Sequence, residues 1–178
     1  MGFRLSWVAV KGITPARALE ELGLVDTGWK LRDFHESPYA GAKTEAGWYV
    51  IVCKEGWSPV LEEGALLALS RQADVLAGDL DEAVMSSRAS AYRGGAKCWE
   101  LIHDPGEGRE HLLVTGTPPD CLAEIRERHL QKQRTGKPNV DAVFDVPLEV
   151  LRSLAGFRHD RNPPGNIEAF SDLEPGKS

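Results

Sequence analysis

Ala91–Asp104 reads AYRGGAKCWELIHD. Gly94-Gly95 supplies the positive φ angles that a two-residue hairpin turn requires. The runs on either side, Ala83–Tyr92 (AVMSSRASAY) and Lys97–His103 (KCWELIH), are short enough for strands. Trp99 and Leu101 then share a face, because side chains alternate along a strand. Asp104-Pro105-Gly106-Glu107-Gly108 is a second turn signal, and His111–Thr115 (HLLVT) returns from it. Residues 83–115 are therefore expected to form an antiparallel meander turning at Gly94-Gly95 and Pro105–Gly108.

Toward the N-terminus, DVLAGDL (74–80) reads as another strand. Ser58-Pro59 combines a cap with a proline suited to the first helical position, and Leu61, Ala65, Leu66 and Leu69 give that helix an apolar side. WYVIVC (48–53) is apolar at every position, the pattern of a central strand buried on both faces. Residues 24–47 show no clean period, although they carry Trp29, Phe34 and Tyr39. WKLRDF is the stretch there that fits a short strand; otherwise the segment is a long connection, with too many aromatics for simple disorder. TPARALEELG carries helix signals at both ends, Thr14-Pro15 and Gly23, with Leu19 and Leu22 inward. FRLSWVAV (3–10) opens the chain as a strand, with Phe3, Leu5, Trp7 and Ala9 on one face.

Toward the C-terminus, Thr117-Pro118-Pro119-Asp120 starts a helix running to about Arg134. Its inner stripe is Leu122, Ile125 and His129 or Leu130. TGKPN (135–139) is a linker, and FDVPLEVLRSLAG is a helix with Asp145 near its start and Gly156 beyond its end. The expected fold class is α+β: a mostly antiparallel sheet of about six strands, helices packed on one face, C-terminal helices and a tail. Residues 1–157 are expected as a single domain, and 158–178 as a polar Pro/Gly-rich tail. Ile167, Phe170 and Leu173 recur every three residues in that tail. This spacing predicts one side of a helical stretch that docks marginally on the domain or on a partner.

The formal charge is −6 and the pI about 5.4. Such a surface repels phosphate backbones, so no nucleic acid is expected, while a basic protein partner suits it. The three cysteines, Cys53, Cys98 and Cys121, form no C-x-x-C, which argues against a disulfide framework or zinc knuckle and for a reducing compartment. The first residues lack the apolar core of a signal peptide. Trp48–Cys53 is too short to span a bilayer, so no membrane association is expected, and a cytoplasmic location follows by elimination.

Chemistry-bearing motifs are sparse. The terminal EPGKS lacks the first glycine of a phosphate-binding loop, since position 171 is Ser. G-x-S-x-G, H-E-x-x-H and G-x-G-x-x-G do not occur. His103 and His111 flank the 104–110 turn. Directly opposed, they share a face with Asp104 or Glu110 in reach; slipped by one, His103 meets Glu110 and His111 meets Ile102. Two histidines without a third ligand are a weak zinc signal, and neither a metal nor a cofactor is expected. His35-Glu36, His103-Asp104 and His159-Asp160 pair a histidine with an acid, a pattern common on ordinary surfaces. Cys121 begins a helix, where the dipole lowers a thiol pKa, but Asp120 opposes this. Cys53 and Cys98, on apolar strands, are expected in the core.

EIRERHLQKQRTGK (124–137) is locally basic and reads as a solvated helix face. Asp74, Asp79, Asp81 and Glu82 make an acidic edge that would receive a basic partner or guard a sheet edge. The expected function is a non-catalytic binding module of immunity or inhibitor type. Its candidate contacts are Trp29, Phe34, Tyr39, Asp79, Asp81 and Glu82. The alternative is a small enzyme built on His103, Asp104, His111 and Cys121.

Overall fold

The computed structural model describes residues 2–56, 58–162 and 165–177. Strand β1 (Arg4–Lys11) leads into helix α1 (Pro15–Glu21), where the Thr14 hydroxyl accepts the Arg17 N–H and Pro15 sits at the helix start. Residues 24–43 then depart from expectation. They form strands β2 (Leu24–Lys30) and β3 (Tyr39–Lys43), separated by a 3-10 turn at Phe34–Glu36 that Asp33 caps. WKLRDF is accordingly not one strand: Trp29 and Lys30 end β2, and Phe34 begins the turn. β4 (Tyr49–Cys53) is buried throughout, as its composition requires. Ser58-Pro59 starts only a 3-10 turn (Pro59–Leu61), and helix α2 (Glu63–Leu69) begins after it without a side-chain cap.

Strands β5 (Asp74–Asp81), β6 (Ser86–Arg93), β7 (Ala96–His103) and β8 (Leu113–Gly116) form the antiparallel meander. Gly94 and Gly95 have φ of 60° and 79°, the backbone that a side chain there would strain. Helices α3 (Cys121–Thr135) and α4 (Asp145–Ala155) follow, and the last strand is β9 (Ser171–Pro175).

One nine-stranded sheet results, in the order β2-β9-β3-β4-β1-β5-β6-β7-β8, with every neighbouring pair antiparallel. The six strands legible in the sequence are present; β2, β3 and β9 are the additions. The tail reading is corrected for 171–175. That stretch is a strand inserted between β2 and β3, and the helix foreseen around Ile167, Phe170 and Leu173 does not form. In a strand, an odd spacing puts Phe170 and Leu173 on opposite faces, and each is buried in a different core.

Those two cores correct the one-face packing as well. On β1, Leu5, Trp7 and Ala9 face α3 and α4, whereas Val8 and Val10 face α1 and α2. The central strands are apolar on both sides, so helices must cover both. Trp7 packs over Gly78 and against α4: a Cβ at 78 would lie 2.6 Å from both the Trp7 ring and the Leu151 side chain. Gly78→Ala is therefore expected to cost about 1–3 kcal/mol by overpacking. Urea denaturation would check this, and an unchanged midpoint would mean that the Trp7 ring can move.

Candidate functional site

The β7–β8 register matches neither anticipated alignment. Leu101 pairs with Val114 and Ile102 with Leu113, a slip in the direction opposite to the one foreseen. This alignment places Trp99, Leu101, Leu112 and Val114 together against the α3–α4 core. His103 and His111 do not form an opposed pair. The His103 ring is fully buried, Nδ1 donating to the His111 carbonyl (2.7 Å) and Nε2 meeting the Asp141 carboxylate (2.9 Å). His111 Nδ1 accepts the Asp104 N–H (3.1 Å), and the Asp104 carboxylate caps the 105–107 turn through Gly106 N–H (2.8 Å).

Two further buried histidines do similar work. His129, on the inner stripe of α3, bonds Glu149 of α4 (2.6 Å), and Arg128 adds a second bond to that carboxylate. Burial pushes the Glu149 carboxyl up, but the His129 bond and the neighbouring cations outweigh it and hold it below the usual range. His159, just past α4, bonds Glu82 (3.1 Å), while the buried Arg158 pairs with Asp145 (2.5 Å) and Asp160 (2.6 Å). Asp141 and Glu149 carry no signal in the sequence, because their partners lie on other elements.

Cys121 does open a helix, yet burial, then Asp120 and Glu124, raise its thiol pKa, against its own backbone N–H. Burial pushes Cys53 up to about 12. Cys98 is exposed rather than in the core, since it lies at the start of β7 beside an irregularity in the β6 pairing. The aromatic candidates part company. Phe34 is buried against Phe157 and Phe170; Tyr39 is half-buried on the other face, bonded to Ser58 (3.0 Å); Trp29 is 74% exposed on edge strand β2.

The acidic residues are not at an edge. β5 lies between β1 and β6. Asp74 pairs with Arg93 (2.6 Å), Glu82 is held by Phe3 N–H and His159, and Asp81 accepts the Ala83 N–H. Asp79 is different. It points into a groove of about 540 Å³, walled by Leu61, Glu62, Glu63 and Leu66 around α2. The pairing register sets out its floor. One row runs Ser6, Asp79, Arg88; the next runs Ala77, Ser90, Glu100. α2 covers the apolar end of these rows and leaves the polar end open.

Partial desolvation in the groove nudges the Asp79 carboxyl pKa up, although 54% of the side chain stays open to solvent; Arg88 opposes this at a loose 3.8 Å, and Glu100 adds to it. Ser90 and Tyr92 are buried in the floor with their oxygens 3.5 Å apart, long for an O–H···O bond, so both hydroxyls can engage a third group. Lys97 is shared between Glu63 and Glu100 (2.7 and 3.4 Å). None of His103, Asp104, His111 and Cys121 lines this groove.

Among the described residues, no group of three His, Cys, Asp or Glu side chains is placed to hold a metal ion, and no helix is long and apolar enough to cross a membrane. No protein-family model, curated protein or solved structure matches the chain.

Proposed function

We propose that this protein is a binding module without catalysis, and that its contact surface is the Asp79 groove. The observation that carries the reading is the excess of carboxylates in one open groove, Glu62, Glu63, Asp79, Asp81 and Glu100 against Arg4, Arg88 and Lys97, with Arg88 meeting Asp79 only at a loose 3.8 Å. A carboxylate held in such surroundings is stabilised by an arriving cation. The hydroxyls of Ser90 and Tyr92 provide acceptors for an ammonium or guanidinium. The partner that suits this surface is a protein presenting a lysine or arginine side chain, and the net charge of −6 steers it inward. An inhibitor- or immunity-type protein, acting by covering a basic surface, is the corresponding biological role.

Asp79→Asn is expected to separate stability from binding. A carboxyl whose folded pKa is raised binds its proton more tightly when folded. Its ionisation therefore lowers stability as pH rises through that pKa. At pH 7 the Asn variant should melt higher than the parent, and the difference should vanish below the unfolded carboxyl pKa of about 3.9. Calorimetric titration with a Lys/Arg-rich decapeptide should show salt-sensitive binding to the parent, weaker binding to Asp79→Asn/Glu100→Gln, and none for an acidic decapeptide. Equal affinity of parent and double variant would overturn the reading.

A further inference from the structure

The same sheet face carries a second cavity, of about 550 Å³, beneath α1 and over β2, β9, β3 and β4. It shares no lining residue with the Asp79 groove. Register again sets out its floor: Lys30 pairs with Ser171, Ser171 with Gly41, and Tyr49 with Lys43. The Tyr49 ring crosses over Gly41, where a Cβ would come within 2.2 Å of the phenol oxygen. Gly41 has ordinary backbone angles, so glycine here serves space and not conformation.

Tyr49 is only 8% exposed and lines the cavity, and no side-chain hydrogen bond engages its hydroxyl among the described residues, where it stays within reach of solvent or of a ligand. Burial, then the charge of Asp26, pushes this phenol up to about 12, so at neutral pH it is a donor. The buried Ser171 hydroxyl accepts from Lys30 Nζ (2.7 Å), which leaves its own proton to give. Tyr49, Ser171 and the Lys30 ammonium are thus three donors in one cavity. The remaining walls are largely apolar: Leu19, Leu24, Ala42 and Ala169. Glu20, Asp26, Glu168 and a second cation, Lys43, also line the cavity. The three carboxylates disfavour a ligand with several negative charges, while the two lysines and the two hydroxyls suit a single acceptor head.

We propose that this cavity binds a small apolar monocarboxylate, its head accepting from Tyr49, Ser171 and Lys30 and its body lying against Leu19 and Leu24. Cavities of this size suit small-molecule ligands. The site is independent of the groove and of its cationic partner.

The test is a two-dimensional amide NMR titration of the full chain with hexanoate, hexanol and hexylamine at neutral pH. Hexanoate should shift α1 and β2–β9–β3 amides saturably, hexanol more weakly, and hexylamine not at all. Tyr49→Phe keeps the ring that packs in the core and should weaken hexanoate roughly tenfold or more, the worth of one hydrogen bond to a charged group. Lys30→Met, at the exposed sheet edge, should do the same and guards against a folding defect in the first variant. No saturable shift with millimolar hexanoate, unchanged affinity in both variants, or hexylamine binding as tightly as hexanoate would each overturn the proposal.

Discussion

A chain ending at Ala169 is expected not to reach this structure. The cut removes β9, which pairs with β2 on one side and β3 on the other. β2 has no other strand neighbour, so it is released, and β3 becomes an unpaired edge. The cut also removes Phe170 and Leu173, one from each core, with exposures of 8% and 2%. Loss of two such side chains costs several kcal/mol, at about 2–5 for a leucine and 3–5 for a phenylalanine. The released backbone hydrogen bonds add to this, and a domain's whole stability is about 5–15 kcal/mol. Circular dichroism and a one-dimensional proton spectrum would decide the matter. Dispersed methyl signals and a melt near the parent's would show β9 to be an accessory strand. The milder Leu173→Ala should cost about 2–5 kcal/mol and remain folded.

That strand also shows where sequence reading ran out. Ile167, Phe170 and Leu173 stand out as apolar residues in a polar, Pro- and Gly-rich stretch, and their docking is legible. Their geometry is not, because a spacing of three fits both one helix face and two opposite strand faces. β9 is decided by β2 and β3, well over a hundred residues away. The meander is the converse case. β5 to β8 follow one another, the turn glycines announce themselves, and nothing remote is needed. Its misread β7–β8 register is a degeneracy: Leu112, Leu113 and Val114 each offer Leu101 an apolar partner, and packing against α3 and α4 chooses Val114.

The candidate sites divide along the same line. Asp79 is visible within an acidic run, but Ser90, Tyr92 and Glu100 join it only through strand pairing. The polar alternation of Ser86, Arg88 and Ser90 on β6 was the available signal that one half of this face stays uncovered. Tyr49 looks like core in the sequence, and only its crossing of Gly41 places the hydroxyl in a cavity.

Asp141→Ala is expected to be the most damaging single change among the buried histidine pairs, at about 1–3 kcal/mol or more, because it leaves a fully buried imidazole nitrogen without its hydrogen-bond partner. His103 is 0% exposed, and Asp141 supplies the acceptor for Nε2. The other Asp141 oxygen accepts the Phe144 N–H (3.3 Å) at the entrance to α4, so the same change frees a second donor. His103→Leu should cost less. Its apolar replacement fills the site, and the Asp141 side chain retains 11% exposure and the Phe144 bond. The double variant should then be more stable than Asp141→Ala alone, which urea titrations in a double-mutant cycle would measure. The pattern also bears on catalysis. A general base needs a free nitrogen within reach of a substrate proton. Both His103 nitrogens are engaged, one by the loop before β8 and one by the segment before α4, so the pair fastens the meander to the helical layer. If both single variants cost well under about 1 kcal/mol, below the loss expected for an unsatisfied buried donor, that fastening role fails.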